Sequence, residues 1–349
     1  MKQRIPLNIK KLLIPIVLTM IAGIYFTIHS DAFLTAANIS AITREMATAV
    51  LIGCGMCFVM ASGAIDLSVG AIVAFLCMLS SRMMDIGIPT AINLLIVIAV
   101  GVACGFINSL VLHTFQLNPF IATLAMQNVY RGLVWIICYR HEDGAAYSQS
   151  IKNALIKALN KGIDVGSVTI YYCVIAAIIC VVLCHIVMKR TKFGINIYAM
   201  GSNEKAASLS GINTIAVQRG AYMVCGAFCG ITSIFMLART QSATTNLGVG
   251  LEFDGISALV VGGASAMGSD AGGETSPVGA LFGALFLYVI YNGIYKLGIA
   301  TAYQQIIQGA ALIVMLVVDS IVTMIRNHRQ RAGYGLEQSK MILEGTQNG

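Results

Sequence analysis

Charge is what this sequence has least of. Only 11% of its 349 residues are charged, while 57% are apolar and the mean hydropathy is +0.81. A soluble domain carries about 25% charge, so this composition excludes an ordinary water-soluble fold. Histidine is scarce and scattered: His29, His113, His141, His185 and His328 form no cluster. No serine-histidine-acid arrangement can be read from them. A Gly-Lys dipeptide is absent altogether. That removes the GxxxxGK[ST] loop which cradles phosphates, and with it ATP binding by that route. No catalytic residue, metal site or cofactor is expected, and the chain is not expected to be an enzyme.

What remains is a set of long uncharged runs. A lipid-facing backbone must satisfy its own hydrogen bonds, so the expected fold class is all-α, a polytopic membrane protein of about ten helices, some broken or re-entrant. The 35 glycines suit close helix packing in lipid. The ten cysteines all fall in apolar runs. Cys54 and Cys57 form a CxxC, but no second pair or histidine stands nearby, so the cysteines read as packing residues.

In chain order the runs are Leu12–Ile28, behind the basic residues Lys2, Arg4, Lys10 and Lys11, then about Met46–Met60 and a run ending near Met84. Leu12–Ile28 reads as a retained first helix rather than a cleaved signal. About Ala91–Leu112 follows, holding Asn108, and then Pro119–Cys138, Val168–Met188 and Arg219–Ala238. Ile256–Val261 is too short to span alone and is either extended by Gly262–Met267 or re-entrant. Val278–Tyr295 and Tyr303–Ile325 complete the set. With the N-terminus inside, thirteen basic residues fall on the inner side and eight on the outer. The net charge of +7 is therefore a topology signal rather than a nucleic-acid footprint. Both termini are expected in the cytoplasm, with residues 1–349 forming one transmembrane domain.

Two features stand out of the apolar background. The polar stretch 189–219 holds a small helix signal. Asn203 serves as N-cap, Glu204 lies where the dipole favours an acid, and Gly211 ends the helix. Its small body, Ala206, Ala207, Ser208 and Ser210, suits close approach of another surface. A docking helix without a nucleotide loop implies a motor on another chain. The second feature is isolated charge. Asp66 sits between Gly63 and Gly70, and Arg131 lies within a span; each needs a partner, a cavity or a membrane edge. Asp66 is expected to cap a broken helix, and Arg131 to pair with Asp66 or Asp254.

Four blocks then carry a resemblance. GAIDLSVG (Gly63–Gly70, containing Ser68) is similar to the GGIDLSVG signature of the ribose-type sugar permeases of bacterial ABC importers, with Ala64 in place of one glycine. NPFIATLAMQNVYRGL (Asn118–Leu133) resembles their PPFIxTL…RGL stretch, including Thr123 and Arg131. GSNEKAASLSGI (Gly201–Ile212) resembles their cytoplasmic loop, and EFDGISALVVGGASAMG (Glu252–Gly268) their acidic block, with Glu252, Asp254, Gly262 and Gly263. The turn Ser269–Pro277, acidic through Asp270 and Glu274, departs from the family's short Gly-Lys-Gly type.

The resemblance implies a permease subunit of the inner membrane. Its partners would be two ATP-binding cassette subunits, a periplasmic solute-binding protein, a second permease subunit in a homo- or heterodimer, and the lipid. ATPase coupling would fall to Asn203–Ile212. An alternative from another class is a self-sufficient ion-coupled secondary transporter or channel, with Asp66, Arg131 and Asp254 as its coupling set; a non-transporting scaffold or receptor is a third. Trp135 and the scattered tyrosines mark no platform for a sugar.

Overall fold

The computed structural model describes residues 9–138, 149–151, 153–264 and 275–299, and six separate helical positions between 303 and 317. Most of the expected tenth span, the acidic part of the turn 269–277, Lys2 and Arg4 at the start and the basic tail lie outside the described residues.

Among the described residues, seven helices are long and apolar enough to cross a membrane. They are α1 (Ile9–His29), α2 (Ala36–Ala61), α4 (Thr90–Thr114), α5 (Pro119–Cys138), α7 (Tyr172–Arg190), α10 (Thr214–Thr240) and α12 (Pro277–Lys296). Two further apolar helices are shorter: α3 (Val69–Asp85) and α11 (Leu251–Val261). α2 and α10 form the centre, with most of their side chains buried. α1 and α7 lie outside and expose aliphatic faces such as Ile178, Val182 and Leu183.

Glycine sets the tightest contact in the bundle. Gly101 and Gly105 on α4 face Gly226 and Gly230 on α10. A Cβ on Gly101 would strike the Gly226 carbonyl, and one on Gly226 the Gly101 carbonyl. The backbones therefore touch, which is how helices gain packing energy in lipid without a hydrophobic driving force. The ten cysteines are free, and all but the half-buried Cys180 are buried.

The all-α expectation needs one correction. β2 (Gly162–Val165) and β3 (Val168–Tyr171) form an antiparallel hairpin, and β1 (Gln149–Ser150) pairs with β4 (Ser242–Ala243). Gly166, at φ +63, turns the hairpin between valines, a two-residue turn that suits strand twist. The short α6 (Ala154–Leu159) precedes it. This layer is tied to one end of the bundle. Arg44 Nη2 donates to Asn160 Oδ1 at 2.6 Å, Asn153 Nδ2 to Thr90 Oγ1 at 2.7 Å, and the Thr169 N–H to Ser40 Oγ at 2.9 Å. The opposite end carries α8 (Lys192–Ser202) and α9 (Glu204–Leu209).

Candidate functional site

The first break in the bundle separates α2 from α3. α2 ends at Ala61; the Gly63 N–H bonds to the Met60 carbonyl at 3.0 Å, and the φ of +82 at Gly63 lets the Ala64 N–H return to the Val59 carbonyl at 3.2 Å. Asp66 follows and is 1% exposed. Its Oδ1 accepts from the Ser68 N–H at 2.9 Å and from Ser68 Oγ at 2.6 Å; its Oδ2 accepts from Asn108 Nδ2 at 3.3 Å. Asn108 Nδ2 also donates to Ser68 Oγ at 2.7 Å, and Tyr130 Oη donates toward Asn108 Oδ1 and the Cys104 carbonyl, both at 3.0 Å. Thr123 Oγ1 accepts the Leu67 N–H at 3.1 Å, and Tyr222 Oη donates to the Ile65 carbonyl at 3.3 Å. Helices α4, α5 and α10 thus brace the break from three sides. A buried carboxylate is tolerated where hydrogen bonds replace its water.

The second break precedes α11. The segment 244–250 is not helical, and it runs to the start of α3: Gly248, at φ +72, lies with its backbone against Gly70. Gly70 is 15 residues from the far end of α3 at Asp85, or about 22 Å along the helix. The segment therefore lies deep along the bundle, where unpaired carbonyls are costly. Arg131 supplies the missing donors. Its Nη1 donates to the Thr245 carbonyl at 3.1 Å and to the Leu247 carbonyl at 2.8 Å.

This corrects the expected pairing. Among the described residues no ion pair joins Arg131 to Asp66 or Asp254; Nη1 goes to backbone carbonyls instead. Asp254 instead accepts from Tyr288 Oη at 3.1 Å. Among the described residues Asp66, Arg131 and Asp254 each bond to different groups, Asp66 to Ser68 and Asn108, Arg131 to backbone carbonyls and Asp254 to Tyr288. Glu252, at the start of α11 and 4% exposed, accepts from Gln127 Nε2 at 3.3 Å through Oε1, while Oε2 abuts Gly70 without a hydrogen-bond partner. α11 is 11 residues long, about 16 Å of helix, so it covers half a membrane. Gly262 caps it and packs backbone to backbone on Gly279 of α12; Gly263 follows at φ +95.

The third element is α9. Asn203 Oδ1 accepts the Ala206 N–H at 2.9 Å, and Gly211, at φ +84, ends the helix one residue after the Ser210 cap. These are the features expected from sequence. The direction of Ala207 is not: it is buried at 4% exposure, so it anchors α9 to the body. Asn203, Glu204, Ala206 and Ser210 are exposed, Ile212 is half-buried, and Leu209 stands out at 90% exposure.

Sequence reasoning misses Tyr130, Tyr222, Gln127 and Leu209. Tyr130 lies seven residues after Thr123, two helical turns on the same face, and that spacing is a usable signal. Gln127 and Tyr222 carry no signal, since their partners are a distant acid and a backbone carbonyl.

Residues 38–316 match the family model described as "Branched-chain amino acid transport system / permease component". The chain is also 32% identical to the ribose import permease protein RbsC of Bacillus subtilis (strain 168), over 85% of this chain and 88% of that protein. It is 29% identical to the galactose/methyl galactoside import permease protein MglC of Haemophilus influenzae, over 87% and 92%. With the fructose import permease protein FrcC of Rhizobium meliloti it shares 28% identity, over 88% and 84%. No solved structure matches. The match over residues 38–316 and the 32% identity over most of both chains show that the chain belongs to the family of branched-chain amino acid transport system permease components, the membrane permease subunits of ABC importers.

Proposed function

We propose that this permease moves a monosaccharide or a similar polyhydroxylated solute across the bacterial inner membrane. The observation that carries the reading is the match, over 85–88% of this chain, to permeases named for ribose, galactose and fructose rather than for an amino acid. The whole chain acts as one transmembrane domain with both termini in the cytoplasm. Ten crossings result if α3, the 244–261 segment with α11, and the helical positions after 303 are added to the seven long spans. Two such permeases sit on two ATP-binding subunits and receive solute from a binding protein. The breaks around Asp66 and Glu252 are the elements that shift between inward- and outward-facing states.

Reconstitution tests it. Proteoliposomes holding the permease, its ATPase and its binding protein should accumulate labelled ribose, galactose or fructose only with ATP. Uptake driven by an ion gradient without ATP would overturn the reading in favour of a secondary transporter.

Coupling through α9 gives a sharper prediction. Leu209 is an apolar side chain with no cover of its own, set beside Lys205 and Ser208 on the exposed face. Leu209→Asp should lower ATP-driven uptake while leaving the melting temperature of the detergent-purified permease unchanged. Ala207→Asp should lower both, because it forces a charge into the contact between α9 and the body. Normal uptake by Leu209→Asp at normal expression would remove Leu209 from the ATPase contact.

A further inference from the structure

Among the seven long spans, α5 is the anomaly. It has the lowest hydropathy of the set, yet together with α1 it is the least buried. The exposed face of α1 is aliphatic, as lipid requires; that of α5 places Ala125, Asn128 and Gly132 at its middle. Among the described residues the Asn128 amide bonds to its own helix, with Nδ2 donating to the Leu124 carbonyl at 3.1 Å. Trp135, 50% exposed, lies two helical turns further along the same face.

A second observation falls beside this face. Arg131 binds the carbonyls on either side of Asn246, and Asn246 is exposed, as are Val249 at 62% and Phe253 at 42%. Non-helical backbone at membrane depth is tolerated where it is buried in protein or lines water, not where it meets lipid. An exposed asparagine on such a segment, beside an exposed asparagine on a low-hydropathy helix and a half-buried guanidinium, marks the wet side.

We propose that Asn128 and Trp135 of α5, with Asn246 and Phe253 of the broken span, form the wall of the solute pathway. This rests on the permease reading above and adds to it which face the solute meets. The chemistry fits a neutral polyol. Each amide offers both donor and acceptor to hydroxyl groups, and the two rings offer apolar faces to the C–H side of a sugar. The Arg131 guanidinium beside them commits Nη1 to two backbone carbonyls and keeps its positive charge, so it holds the broken segment in place at the edge of the wall.

Cysteine accessibility in the assembled transporter tests this without knowledge of the solute. Asn128→Cys, Asn246→Cys and Leu183→Cys would be treated in membrane vesicles with a charged, membrane-impermeant methanethiosulfonate, with the unsubstituted chain as blank for its native cysteines. Leu183 is 56% exposed on the aliphatic face of α7 and serves as the lipid-facing control. The expected result is several-fold faster labelling at 128 and 246 than at 183. Equal rates at all three positions would overturn the proposal. So would an Asn128→Cys that resists the reagent and cross-links to a second copy, since that places a closed seam there. Failure of ATP-driven uptake in the unsubstituted vesicles would instead count against the sugar-import reading and leave the labelling result to stand by itself.

Discussion

Arg131→Ala abolishes uptake and lowers the melting temperature; this is the expected result of removing the donor that holds the second break. Its Nη1 satisfies two carbonyls, those of Thr245 and Leu247. Thr245 and Leu247 are half-buried, and each carbonyl left unpaired costs about 1–3 kcal/mol, so the variant should lose up to about 2–6 kcal/mol. The segment 244–250 would then rearrange to find other donors, carrying Gly248 away from Gly70 and shifting the start of α11. Both bonds come from one nitrogen, so an ammonium can imitate part of the geometry. Arg131→Lys should therefore keep more activity and stability than Arg131→Ala, although its shorter reach weakens both contacts. An Arg131 that worked by pairing with a carboxylate predicts something else, namely that loss of the acid relieves loss of the base. Neither Asp66→Asn nor Asp254→Asn should restore Arg131→Ala. Uptake and thermal melting of the four variants check this, and wild-type behaviour of Arg131→Ala would sink the account.

The contrast between Arg131 and the spans around it shows what a sequence of this kind discloses. α5 is readable to the residue, Pro119–Cys138, because Asn118-Pro119 sets its start and the polar loop sets its end. α2 reads ten residues short. Arg44 and Glu45 look like a membrane boundary, yet α2 runs through them from Ala36. The structure keeps Arg44 there by the side-chain amide oxygen of Asn160 and by the Tyr171 ring, 4.7 Å from the guanidinium. Both partners come from a distant part of the chain. α9 is legible because its cap, Asn203, and its stop, Gly211, are local signals. α8 is not, since its glycines and polar residues resemble a loop. The positions of Asp66 and Arg131 stand out against apolar surroundings, but their partners do not. Backbone carbonyls carry no letter in the sequence, and Asn108 is 42 residues away from Asp66.

That long-range contact supports the second large expectation. Asp66 is held by Ser68 through Oδ1 and by Asn108 through Oδ2. Asp66→Ala removes the acceptor for the Ser68 N–H and leaves Asn108 Nδ2 without its carboxylate, so turn and brace fail together. Asp66→Asn keeps the Oδ1 acceptor and should retain more transport. Its new amide nitrogen, however, faces Asn108 Nδ2, donor against donor, unless the Asn108 amide turns over. Asn108→Asp is the harsher single change. It sets two carboxylates within hydrogen-bonding distance in a buried site, where like charges repel strongly. The exchange Asp66→Asn with Asn108→Asp restores one acid and one amide across the same gap. The amide now at position 66 can then donate to the carboxylate at position 108, which also accepts from Tyr130 Oη. The double variant should be more stable and more active than Asn108→Asp alone, with a coupling energy of about 1–3 kcal/mol in the double-mutant cycle. Adding Arg131→Ala to any member of the cycle should bring no recovery, because Arg131 serves the other break. Losses that simply add across the cycle would show that Asp66 and Asn108 act independently and that the turn is held without the bond between them.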